Sequence, residues 1–258
     1  MKNYGFITPQ IQLEDHILGA EITLPILQAD GQWDKYLPLY EPQAEKYETF
    51  GCTVWGSQNA LEILHKKIYD TEPNFAERYN YNISGITPPG ADPNKVIQDM
   101  RTYGLIDHSE MGTPDTLEEF MTPRPMTEEY LAKGRKWLEE YEIKHKWVLQ
   151  GYEGKDYRIK AIKEALTVSP ICVSVSAWTE VNGIYVDNGT PNNHWTVCFG
   201  WTDKGWKIFD SYDHSLKIYS FDSSILFAKS FELLKKNKKQ TFREWLKTLF
   251  TNFIKYYA

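Results

Sequence analysis

A helical pattern runs from Cys52 to about Tyr69. Val54, Trp55, Leu61, Ile63, Leu64 and Ile68 broadly share one helical face, and Gly51 breaks the chain just before it. Gly56 and Ser57 within this stretch are small enough to let another element pack closely. A second helix is predicted after TPPGADP: Asp92 can cap it, Pro93 suits its first turn, Val96, Ile97 and Met100 form its stripe, and Gly104 ends it. The proline-punctuated PDTLEEFMTPRPM reads as irregular. Further helices are predicted over about 127–141 and over 156–166, the latter finished before Pro170. From Ile171 the texture changes to short β-rich runs, ICVSVSAW, HWTVCFGW, GWKIFDSY and SLKIYSF, separated by Gly, Asn and Asp. Helices in the first half and strands in the second make an α+β pattern. From about Ser223 the pattern returns to helix, and Phe242, Trp245, Leu246, Leu249, Phe250, Phe253, Ile254 and Tyr257 recur at the three- and four-residue spacing of a strongly amphipathic helix. The expected organisation is a lead-in over 1–30, a main domain over 31–222 and a helical extension over 223–258.

Composition bounds this picture. With 258 residues, 41% of them hydrophobic, the chain can bury one large core or two smaller lobes. A net charge of −6 argues against a nucleic-acid binder, and the one basic run, KKNKK at 235–239, reads as a solvated helix end. No window reaches the roughly 18 apolar residues of a transmembrane helix. The opening MKNYGFITPQIQLEDH lacks the apolar stretch of a secretory signal. The three cysteines, an odd number, fit free thiols in a reducing compartment, so a cytoplasmic location is expected. Cys172 and Cys198 sit in apolar strand-like runs and read as buried fillers.

The candidate chemistry centres on Cys52. A thiol at a helix start beside an imidazolium can have its pKa lowered to roughly 3.5–7.5, which makes it a nucleophile at neutral pH. Far downstream, His194 opens a strand after the polar turn at 189–193, a place where an imidazole can reach a neighbouring lobe, pair with the thiolate and protonate a leaving amine. Asp210 ends the next strand, where a carboxylate would fix the imidazole tautomer. A two-residue turn at Asp203-Lys204 would set Asp213 opposite His194, so pairing with Asp210 requires a bulge or a longer loop. Gln43 is a candidate oxyanion donor, with the free backbone N–H of Cys52 as the second. The six histidines show no metal-ligand spacing, and this chemistry needs no cofactor.

Together these positions resemble the papain-like cysteine peptidases. In that family a Gln precedes the Cys, the Cys begins a central helix, and a His-led strand is followed by an Asn-Ser-Trp phrase, here Asp210-Ser211-Tyr212, with Tyr212 shielding the His–Asp pair. The order AIKEALTVSPICVSVSAW, NGIYVDNG, NHWTVCFGW also looks like the family's helix, first barrel strand, surface loop and His strand, so the resemblance covers about 33 to 220. It implies a two-lobed fold with a helical N-terminal lobe and an antiparallel, β-barrel-like C-terminal lobe. It also implies a thiol endopeptidase that cleaves a polypeptide substrate through a Cys52-His194-Asp210 triad and a thioester, with Asp210 favoured over Asp213. The chain departs from the family in carrying Asp for Asn and Thr53 after the Cys. Gln43 also lies further upstream, so either a small insertion around 46–49 loops out or Gln43 is not the donor. The compact, disulfide-free layout resembles phage-encoded members. Two other readings keep the scaffold: a transglutaminase-like acyltransferase, and a binding or assembly module that docks a partner through the C-terminal amphipathic helix. The segments 83–93 and 173–178 are expected to wall the cleft, and residues 1–30 to lie across it.

Overall fold

The computed structural model describes residues 4–10, 25–212 and 216–236. The first strand is β1 (Gly5–Phe6), and among the described residues between it and α1 (Cys52–Tyr69) lies one 3-10 turn at Asp34–Tyr36. The sequence predicts one apolar face for α1, but the helix is buried on all sides from Cys52 to His65. That is the property of a central helix, and each fully buried Leu or Ile there is worth about 1.5–3 kcal/mol. The small residues set how close it sits. A Cβ added at Gly56 would lie 3.1 Å from the Trp195 ring, and Ser57 Oγ accepts the Trp195 indole N–H at 3.4 Å.

Next come α2 (Glu77–Ile83), β2 (Gly90–Ala91) and α3 (Pro93–Tyr103). In α3 the Asp92 side chain accepts the Asn94 N–H as the cap, and Val96, Ile97 and Met100 are its buried stripe, as the sequence predicts. The stretch expected to be irregular contains one short helix, α4 (Leu117–Phe120), and α5 (Glu128–Glu140) follows.

Two long strands escape the sequence pattern. The run 141–150 is β3 (Tyr141–Gln150), with Ile143, His145, Trp147 and Leu149 buried on one face and Val148 buried on the other. After α6 (Lys155–Leu166) come β4 (Ile171–Val175), β5 (Thr179–Val181), β6 (Ile184–Val186), β7 (His194–Trp201), β8 (Gly205–Phe209) and β9 (Leu216–Ser220). The last is β10 (Phe227–Lys235), where the sequence predicts helix from about Ser223. It pairs with β3 on one side and β4 on the other, so this part of the expected helical extension belongs to the sheet. Phe227, Phe231 and Leu234 fit a helical face, but in the strand Phe231 and Leu233 are the buried pair and Leu234 is exposed; the slot between β3 and β4 decides. The amphipathic helix expected over 242–257, with its proposed docking role, lies outside the described residues.

The sheet has eight strands in the order β3-β10-β4-β7-β8-β9-β6-β5, antiparallel except for β6 beside β9. A separate parallel pair joins β1 to β2. The central helix α1 packs chiefly on β7, with further contact to β10 and β4. Among the described residues no helix is long and apolar enough to cross a membrane. Cys172 and Cys198 are buried free thiols in β4 and β7.

Candidate active site

Gly51 lets the chain enter α1 at close quarters: a Cβ there would lie 2.4 Å from the Trp55 ring. Cys52 is therefore the first residue of the helix, and it is fully buried. Burial pushes its thiol well above the usual range, with Asp210 and Glu48 adding to the rise, while a backbone hydrogen bond from Trp195 works against it. In this state the sulfur is a neutral thiol beside the backbone of the residue that follows His194.

His194 begins β7, opposite Val175 of β4. Its Nε2–H donates to Asp210 Oδ1 at 2.6 Å, and both side chains are completely buried. That bond fixes the tautomer, because a carboxylate accepts and the proton must sit on Nε2. Nδ1 is then the bare nitrogen; it is out of solvent and has no hydrogen-bond partner among the described residues. A bulge eases the register problem at Asp210 by one residue. Trp201 faces Trp206 and Gly200 faces Lys207 near the turn, but a shift between Cys198 and Gly200 brings Val197 opposite Phe209. Continued in this register, Tyr212 would stand opposite His194, and Asp210 is its diagonal neighbour two residues away. Asp213, the substitute, lies outside the described residues.

Asp210 has a second partner that the sequence does not announce. Lys217, on β9 and also fully buried, donates to Asp210 Oδ2 at 2.8 Å. Burial raises the Asp210 carboxyl, but His194 and then Lys217 more than offset it, and the group is held below the ordinary carboxylate range. Lys217 also sits over the rings of Trp178, at 5.0 Å, and Tyr185, at 5.2 Å. The signal for it in LKIYS is weak: Lys217 shares the inward face of β9 with Tyr219, and a lysine there needs an anion.

Gln43 is brought to the same place by the residue after Asp210. Ser211 Oγ–H donates to Gln43 Oε1 at 2.9 Å, and the Gln43 backbone N–H donates to the Ser211 carbonyl at 2.8 Å. With Oε1 occupied in this way, the amide presents Nε2–H outward. The extra residues before Cys52 coil through turns at 43–47, and the Thr49 hydroxyl ties them off, donating to the Gln43 carbonyl and accepting the Gly51 N–H. Ser211 and Lys217 are the two site residues that sequence reasoning missed.

Aromatic rings close over His194. Tyr212 lies edge-on at 6.2 Å between centroids, Trp178 at 5.6 Å and Tyr4 at 5.4 Å. Tyr212 is anchored by its hydroxyl, which donates to Glu48 at 2.6 Å.

Tyr4 opens a short segment, 4–7, that packs against these residues. Its backbone N–H donates to the Asn193 carbonyl at 3.0 Å, and its carbonyl accepts the Gln43 Nε2–H at 3.2 Å. Gly5 and Phe6 pair with Gly90 and Ala91, and the Ile7 N–H reaches the Ala91 carbonyl at 3.0 Å. Gly5 has φ +108°, and a Cβ there would fall 2.0 Å from the Phe50 carbonyl oxygen, so only glycine fits. Phe6 is buried and stacks on Trp195 at 5.8 Å. Of the two segments expected to wall the cleft, 83–93 meets this segment at Gly90 and Ala91, and 173–178 meets His194 through Trp178.

Solved structures share this architecture. Procathepsin L 3 from the larval midgut of Tenebrio molitor superposes with a TM-score of 0.59 at 11% identity, over 88% of this chain and 75% of that one. Xylellain, a cysteine protease from Xylella fastidiosa, does so with a TM-score of 0.59 at 14% identity, over 92% of this chain and 97% of its own. No protein-family model matches the sequence, and no curated protein does. The chain has the papain-like cysteine protease fold.

Proposed function

We propose that the protein is a cysteine peptidase whose triad is Cys52, His194 and Asp210. The observation that carries this is the His194–Asp210 bond: it directs a bare Nδ1 away from the carboxylate, in a cleft headed by a thiol at a helix N-terminus. On substrate binding the Cys52 proton passes to His194 Nδ1, and the sulfur attacks the peptide carbonyl. Gln43 Nε2–H and the Cys52 backbone N–H stabilise the oxyanion. As the C–N bond breaks, His194 returns the proton to the leaving amine. Water, deprotonated by His194, then attacks the thioester and releases the acid, and the thiol re-forms. Asp210 stabilises the imidazolium through these steps, and Lys217 keeps Asp210 ionised despite its burial. Tyr212 shields the pair.

The form described is latent on this reading, because the carbonyl of Tyr4 takes the donor that the oxyanion needs. The test is digestion of a defined peptide mixture, read by mass spectrometry, with Gly5→Ala to loosen the segment and Gly5→Ala/Cys52→Ala as the control. Cleavage products that appear only with the thiol present support the reading. No products from either protein, with both folded, would overturn it.

A further inference from the structure

Away from the triad, Glu41, Glu77 and His108 converge on one wall of a cavity of about 440 Å³ that Gln43 also lines. We propose that these three side chains form a binding site for a divalent transition-metal ion of the Zn²⁺ type, bracing the segment that carries Gln43.

The geometry suits a metal better than it suits hydrogen bonds. His108 Nδ1 lies 3.6 Å from Glu41 Oε2 and 3.7 Å from Glu77 Oε2, both beyond hydrogen-bond reach. One ligand atom from each residue falls within 4.8 Å of the others. Two ligands each about 2.1 Å from a tetrahedral Zn²⁺ stand about 3.4 Å apart, so small side-chain movements close the set. His108 Nδ1 is out of solvent and has no hydrogen-bond partner among the described residues. The Glu77 side chain is only 5% exposed, and it is aimed at that same nitrogen. Two carboxylates and one imidazole supply oxygen and nitrogen donors of the kinds that zinc accepts, and the cavity side leaves a fourth position for water.

The surroundings favour a cation. Glu41 is oriented from behind, since Asn74 Nδ2–H donates to its other oxygen at 2.7 Å. The ligands come from three places: Glu41 two residues before Gln43, Glu77 at the start of α2, and His108 in the 3-10 turn at His108–Glu110. A metal there would pin the oxyanion segment to the helices. Ligands scattered from position 41 to 108 explain why the sequence shows no such spacing.

The test uses the full chain with Cys52→Ala, which removes the active-site thiol as a competing ligand and makes the result independent of the peptidase reading. Equilibrium dialysis with Zn²⁺ is expected to give one ion per chain at micromolar or tighter affinity, with a rise in Tm. Adding Glu77→Gln or, separately, His108→Gln is expected to weaken binding at least tenfold and abolish the Tm rise, with the apo proteins still folded. Absence of binding at 100-fold molar excess of zinc would overturn the proposal, as would equal affinity in both variants.

Discussion

Gln43 donates its side-chain N–H to the carbonyl of Tyr4 at 3.2 Å. The chain's own backbone therefore engages the amide proposed to stabilise the acyl oxygen, and Ser211 holds that amide through its Oε1.

Three backbone-directed hydrogen bonds at about 1 kcal/mol each and a buried Phe6 worth about 2 kcal/mol hold the segment down. Gly5→Ala should dislodge it, because its Cβ meets the Phe50 carbonyl. Initial rates on a fluorogenic peptide should rise about tenfold or more, since each 1.4 kcal/mol of lost closure is a factor of ten in open population. An unchanged rate would count against latency through this segment.

Truncating Gln43 removes one oxyanion donor. In the Gly5→Ala background, Gln43→Ala should lower kcat about 10²–10³-fold with little change in KM. Ser211→Ala leaves the amide in place but unfixed, so its kcat should fall between the two parents. Equal values for Ser211→Ala and its parent would remove Ser211 from the account.

Lys217→Met leaves Asp210 buried with one cationic partner gone. Breaking a buried pair in this way costs about 3–5 kcal/mol, and urea unfolding at pH 7 should register it. A variant as stable as the parent would mean that Lys217 contributes packing alone.

Asp210 titrates below its unfolded value of about 3.9. Its ionic contribution to stability is complete above that value and is lost as pH falls through the folded pKa. Asp210→Asn should therefore be less stable than the parent at pH 7, and the gap should narrow below about pH 4. Urea midpoints measured from pH 7 to pH 3 check this; a gap that widens toward acid would contradict it.

Much of this was legible in the sequence where one physical signal acted alone. The α1 start at Cys52, the Asp92 cap with the Val96-Ile97-Met100 stripe, and the strands that follow Ile171 each follow from local spacing. The pattern failed where tertiary context decided. Lys229 on β10 occupies an inward position, and its ammonium meets His145 Nδ1 at 2.9 Å and the Trp147 ring at 3.8 Å. A lysine on the buried face hid the strand alternation. His145 did the same in β3. At the site, Asp210 was readable only with a bulge whose place the sequence does not mark, and Lys217 looks like any surface lysine until its anion is known. Gly5 and Phe6 form a strand too short to leave a period.

The central claim is a thiol activated by the His194–Asp210 pair. Gly5→Ala and Gly5→Ala/His194→Ala proteins treated with a thiol-directed peptidyl electrophile at neutral pH, followed by mass spectrometry of the three cysteine peptides, test it most directly. The account predicts fast labelling of Cys52 alone, lost with His194→Ala, while buried Cys172 and Cys198 stay unmodified. Labelling that is slow at Cys52, or that does not depend on His194, would contradict it.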